Sequence, residues 1–64
     1  MEENIRFNIE KLRKENDLST TDIASIIKCS ERAYRNKEKG LQPFKLSEIL
    51  ILLERFGLKF EQLL

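Results

Sequence analysis

Between Leu18 and Gly40 the chain carries two short helix-forming runs, each opened by a serine and joined by a turn of three residues. Ser19 sits where an N-cap belongs, and Asp22 follows three positions later. That spacing is close to a capping box, in which two side chains reciprocally satisfy backbone N–H groups at a helix start. Ile23, Ala24, Ile26 and Ile27 then supply a compact apolar face. Lys28-Cys29-Ser30 forms the turn, and Ser30 caps the next run, Glu31 to Lys39. Gly40 follows, a residue suited to the left-handed position just past a helix end. Two helices this close form a helix-turn-helix, here at about residues 19–39.

The rest of the chain also reads as helix. Ile5, Ile9 and Leu12 recur at i, i+4 and i+7 and predict a first helix from about Glu3 to Asn16, broken by Asn16-Asp17. Pro43 in the loop Leu41–Phe44 prevents simple continuation of the third helix. A fourth helix is expected from Lys45 or Leu46 to Phe56. Its inward stripe is Leu46, Ile49, Leu50, Leu53 and Phe56, and Gly57 ends it. A last helical turn follows, Phe60 to Leu64. With two Gly, one Pro and no extended Val/Thr-rich run, the expected fold is all-α, a compact five-helix domain spanning 1–64. The expected core is Ile5, Ile9, Leu12, Leu18, Ile23, Ala24, Ile27, Leu46, Ile49, Leu50, Leu53 and Phe56.

A chain of 64 residues is near the lower limit at which one core folds without metal or disulfides, and 41% apolar residues make such a core feasible. The single cysteine, Cys29, excludes an intramolecular disulfide and reads as a small core residue, which fits a cytoplasmic setting. The start Met1-Glu2-Glu3-Asn4 is acidic and lacks the apolar stretch of a secretory signal. The longest apolar run, Ile49 to Leu53, is far too short to span a bilayer.

Net charge is only +1, but it is unevenly placed. Residues 30–45 hold five Lys/Arg (Arg32, Arg35, Lys37, Lys39, Lys45) against Glu31 and Glu38, a balance of +3, while the segments on either side are each −1. The positive charge therefore coincides with the second helix of the motif, as binding to a phosphate backbone requires. In such a motif the second helix can lie in the DNA major groove.

The pattern resembles the lambda-repressor-like helix-turn-helix family, of the Cro and phage-repressor type. Leu18-Ser19, Ile23-Ala24, Ile27, Cys29-Ser30, Tyr34, Glu38 and Gly40 carry the resemblance. Leu46, Ile49-Leu50, Leu52, Phe56-Gly57-Leu58, Phe60 and Leu63-Leu64 fit the family's last two helices. The resemblance implies that Arg13, late in the first helix, pairs with Glu38 near the end of the third, which would also hold Arg13 near a phosphate. It implies that position 20, often Gln in the family, meets DNA. Thr20 is shorter, and its hydroxyl is expected at a phosphate beside Thr21 and Ser30. Two residues depart from the family pattern. Lys37 stands where an apolar residue is usual, and is expected to lay its stem on the core and push its amine to water or phosphate. Lys28 stands where Gly is common, and a positive φ there would cost about 1 kcal/mol.

On the outward side of the third helix lie Glu31, Arg32, Arg35 and Asn36. Arg suits guanine O6 and N7, Asn suits adenine, and Glu can accept from cytosine N4. Arg32 and Asn36 are the foremost expected base readers, with Glu31 and Arg35 beside them. Lys39 is expected at phosphate. Leu58, Phe60, Leu63 and Leu64 are expected to form a dimer contact, because one short turn cannot hide so much apolar surface. Phe7, on the far side from Ile5, marks either a partner surface or a further buried contact.

The expected function is sequence-specific binding of double-stranded DNA by a small phage or mobile-element transcriptional regulator. It would act as a homodimer, at least on DNA, at a near-palindromic operator, with no membrane and no cofactor. The alternative is a protein-interaction or antitoxin-like module on the same fold. No His, cysteine cluster, Gly-rich phosphate loop or paired carboxylate set points to an enzyme.

Overall fold

A computed structural model describes residues 2–64; Met1, the first residue of the acidic start, lies outside them. The helices are α1 (Glu2–Glu15), α2 (Thr20–Ile27), α3 (Glu31–Glu38) and α4 (Leu46–Phe56). The segment expected as a fifth helix is a single 3₁₀ turn, Phe60–Gln62. Among the described residues there is no strand, and no helix is long and apolar enough to cross a membrane.

The starts of α2, α3 and α4 are capped as their side chains allow. The Ser19 hydroxyl accepts from the Asp22 N–H at 3.0 Å, and the Asp22 carboxylate accepts from the Ser19 N–H at 3.0 Å. The Ser30 hydroxyl accepts from the Ala33 N–H at 3.1 Å. At α4 the cap is reversed: Lys45 offers no acceptor, and the Glu48 carboxylate takes the Lys45 N–H at 2.8 Å. All four helices end in one way, with a left-handed residue followed by an N–H that reaches five residues back. The left-handed residues are Asp17 (φ 53), Lys28 (φ 63), Gly40 (φ 85) and Gly57 (φ 64). The closing bonds run Leu18 to Arg13, Cys29 to Ala24, Leu41 to Asn36 and Leu58 to Leu53, at 2.8–3.0 Å. This is the Schellman ending. Lys28 therefore does carry the positive φ that a glycine would adopt without strain.

The core is Ile5, Ile9, Ile23, Ala24, Ile27, Tyr34, Ile49, Leu52, Leu53 and Leu63. Helix α2 packs against α3 and α4, and α1 crosses α3. The expected inward stripe of α4 is corrected. Leu46 is 66% exposed and Leu50 53% exposed, while Glu48, Ile49, Leu52 and Leu53 are buried. Seven of the eleven α4 residues are apolar, so periodicity alone leaves the phase of this helix open. Glu48 decides it: its carboxylate caps the helix start and meets Lys37 inside. Leu12, Leu18 and Phe56 are half-buried rather than fully enclosed. Tyr34, Leu52 and Leu63 take their share of the core, and Phe44 sets its ring edge-on to Tyr34 at 6.0 Å.

Candidate nucleic-acid interface

Helix α3 has two differently built sides. Ala33, Tyr34 and Lys37 face the body of the molecule, with Tyr34 and Lys37 buried. Glu31, Arg32, Arg35, Asn36 and Lys39 fall on the opposite arc; Arg32, Arg35 and Lys39 are exposed, and Glu31 and Asn36 half-buried.

Two ion pairs hold this helix from behind. Arg13 donates to both carboxylate oxygens of Glu38, Nε to Oε2 at 3.0 Å and Nη2 to Oε1 at 3.2 Å. A two-pronged pair of this kind fixes an angle as well as a distance. Arg13 also donates to the Leu18 carbonyl at 3.1 Å, and the Tyr34 hydroxyl donates to Glu38. Burial, then the Glu38 carboxylate, push the Tyr34 pKa up, so the hydroxyl stays a donor. The expected Arg13–Glu38 pairing is present, with both side chains 14% exposed. Three of the five guanidinium N–H groups are engaged in it and at Leu18.

The second pair was not foreseen. Lys37 and Glu48 form a salt bridge with residue exposures of 6% and 5%, tying the end of α3 to the start of α4. The expectation that the Lys37 amine reaches water or phosphate is corrected. A carboxylate one turn into α4 lies within reach of its stem, and burying both charges together avoids leaving either alone. The trace of this in the sequence is Lys37 itself, a charge where the family resemblance calls for an apolar residue.

Withdrawing Lys37 leaves the outer charge unchanged. Glu38 is occupied by Arg13, so residues 30–45 present Arg32, Arg35, Lys39 and Lys45 against Glu31, again +3. At the end of this face nearest α2, the Thr20 hydroxyl donates to Glu31 Oε2 at 2.6 Å, and Arg35 Nη2 donates to the same oxygen at 3.0 Å. The Thr20 hydrogen bond, then Thr21 and the Arg35 charge, hold the Glu31 pKa below the usual carboxylate range. In this arrangement the Thr20 hydroxyl hydrogen is engaged by Glu31. Thr21 is exposed at the start of α2, and Ser30 keeps its hydroxyl hydrogen while its oxygen caps α3.

The four residues expected as a dimer contact divide. Leu63 is buried and its carbonyl accepts from Asn8 Nδ2 at 2.8 Å; Leu58 packs half-buried on the core. These two close the fold, because the 3₁₀ turn folds back on α1 and α4 rather than standing clear. Phe60 and Leu64 are 42% and 43% exposed. Phe7 is exposed, with the Arg6 guanidinium over its ring at 4.8 Å. Cys29 is half-buried, and burial pushes its thiol pKa up, in keeping with a packing role.

On another face an open groove of about 600 Å³ lies between α1, the 40–45 loop and α4, lined by Ile5, Phe44, Leu46, Ile49 and Phe60 with Arg6 at its side. Among the described residues no three His, Cys, Asp or Glu side chains converge as metal ligands would. No known family profile matches the chain, and no curated protein or solved structure matches it.

Proposed function

We propose that this chain binds double-stranded DNA sequence-specifically through α3, as a small transcriptional regulator of the lambda-repressor-like helix-turn-helix type from a phage or mobile element. The observation that carries this reading is the contrast between the two sides of α3. Its outer arc holds Arg32, Arg35, Asn36 and Lys39, while Arg13–Glu38 and Lys37–Glu48 brace its back. Side chains that read base edges must be held at a fixed angle, and paired charges behind the helix do that. Arg32 and Asn36 read bases; Lys39, Thr21 and Ser30 meet phosphates. The working unit is a homodimer in the cytoplasm on a near-palindromic site, with its α3 helices about one DNA turn, ~34 Å, apart. Phe60 and Leu64 supply the exposed apolar part of the contact.

Selection from a random duplex pool tests this. A near-palindromic site should be enriched, and Arg32→Ala and Asn36→Ala should lose more affinity for it than for random duplex. No enrichment refutes the reading; equal losses on both duplexes refute base reading by these two residues.

The groove favours a second reading, a protein-interaction module. Leu41 and Leu46 are largely exposed at its edge, and contiguous exposed apolar surface marks interaction sites. A chain that binds no duplex at low salt would favour this reading.

A further inference from the structure

Glu31 opens α3, and two side chains, one from α2 and one from α3, meet at its carboxylate. Oε2 accepts from the Thr20 hydroxyl of α2 at 2.6 Å and from Arg35 Nη2, one turn along α3, at 3.0 Å. Neither bond uses Oε1. An ionised carboxylate only accepts, and a guanidinium only donates. The two groups therefore present an acceptor and a set of donors side by side, in a fixed relation, on the outer end of α3.

The major-groove edge of a G·C pair has the complementary layout. Cytosine N4 offers a donor; guanine O6 and N7 offer two acceptors next to it. N4 and O6 are themselves hydrogen-bonded within the pair, about 3 Å apart, so a carboxylate and a guanidinium held together through Glu31 Oε2 and Arg35 Nη2 can each face one of them. An A·T pair also puts a donor beside an acceptor. There the thymine methyl group stands where the second prong of the guanidinium would go.

We infer that Glu31 and Arg35 act as one reading head for a G·C pair, with Glu31 Oε1 accepting from cytosine N4 and Arg35 donating to guanine O6 and N7. Thr20 is the positioning residue that holds Glu31 in place. This rests on the DNA-binding reading above. It gives Glu31 a second effect, since a fixed negative charge at this point repels phosphate and weakens binding to unrelated sequence.

The test is selection from a random duplex pool with the parent chain and with Glu31→Ala, Arg35→Lys, Thr20→Val and Thr20→Ser, each checked for helical content. The parent should select a G·C pair at one position in each half-site. Glu31→Ala and Arg35→Lys should both lower the preference at that same position, by about tenfold, and the double variant should lose little more. Thr20→Val should lower it too, and Thr20→Ser should restore it. In the free protein, an NMR titration of the Glu31 carboxyl should move toward the ordinary carboxylate range in Thr20→Val. An unchanged titration overturns the positioning role. Relaxation at different positions, or at none, overturns the reading head while leaving DNA binding standing. Failure of the parent to bind any duplex overturns both.

Discussion

Replacing Lys37 by methionine leaves Glu48 enclosed at 5% exposure without its counter-ion. Removing one member of a buried pair typically costs about 3–5 kcal/mol, because the remaining charge stays desolvated. Glu48 keeps one partner, the Lys45 N–H at 2.8 Å, so the lower end of the range, about 3 kcal/mol, is expected. A domain of this length has a total stability of about 3–10 kcal/mol. The variant should therefore melt about 12 °C or more below the parent, or be partly unfolded at room temperature. The double variant Lys37→Met/Glu48→Leu places two apolar side chains where the pair was. It should recover most of the loss, leaving a deficit of about 1 kcal/mol from the missing cap at α4. Urea unfolding followed by far-ultraviolet circular dichroism, on the parent, both single variants and the double, measures the coupling directly. The reasoning is refuted if Lys37→Met lies within about 0.5 kcal/mol of the parent, or if the double variant loses the sum of the two singles.

Three further outcomes follow from the same structure. Lys28→Gly should stabilise the chain by up to about 1 kcal/mol, read as a higher urea midpoint, because Lys28 holds φ 63; a drop would show that its side chain contributes more than the backbone strain. Ile23→Ala should cost about 2–5 kcal/mol and the half-exposed Leu50→Ala under about 1 kcal/mol, so equal melting losses would refute the assigned phase of α4. The Asp22 pKa is held low by the Ser19 N–H and then the Ser19 hydroxyl, so its contribution is fully present above the ordinary carboxylate value of about 4 and is lost as pH falls below it through the lowered folded-state pKa. Asp22→Ala should accordingly flatten the acid limb of stability against pH, and an acid limb parallel to the parent's would refute the capping box as its source.

How far the fold was legible depended on whether each residue acted locally. Ser19, Asp22 and Ser30 cap helices by contacts three residues away, and sequence spacing alone exposes them. Gly40 and Gly57 likewise mark helix ends by their own backbone freedom. Asp17 and Lys28 take the same left-handed geometry without the residue type that announces it, because the closing bonds of the Schellman ending carry them there. The phase of α4 was hidden because its apolar residues cover more than one face. What resolves it is Lys37, from another helix. At the candidate interface the outward arc of α3 followed from helical periodicity, and the Arg13–Glu38 pair from the family resemblance. The Thr20–Glu31 contact joins two helices at an angle that spacing does not encode. The split of Leu58 and Leu63 from Phe60 and Leu64 depends on how one 3₁₀ turn folds back on the core.

The central claim is that α3 carries a phosphate-matched, base-reading surface, and its most direct test is the salt dependence of binding to random duplex DNA. Each phosphate neutralised contributes about −0.9 to the slope of log K against log salt. Random duplex offers no matching bases, so there Arg32 and Arg35 turn to phosphates beside Lys39, and the expected slope is about −3 for each protomer on DNA. Lys39→Ala should make it shallower by about one unit per protomer. Lys37→Ala, once corrected for any unfolded fraction, should leave it where it was, since that amine is bound to Glu48. A steep slope with this pattern is the predicted result; a flat one, with binding that ignores salt or is absent, would contradict the account.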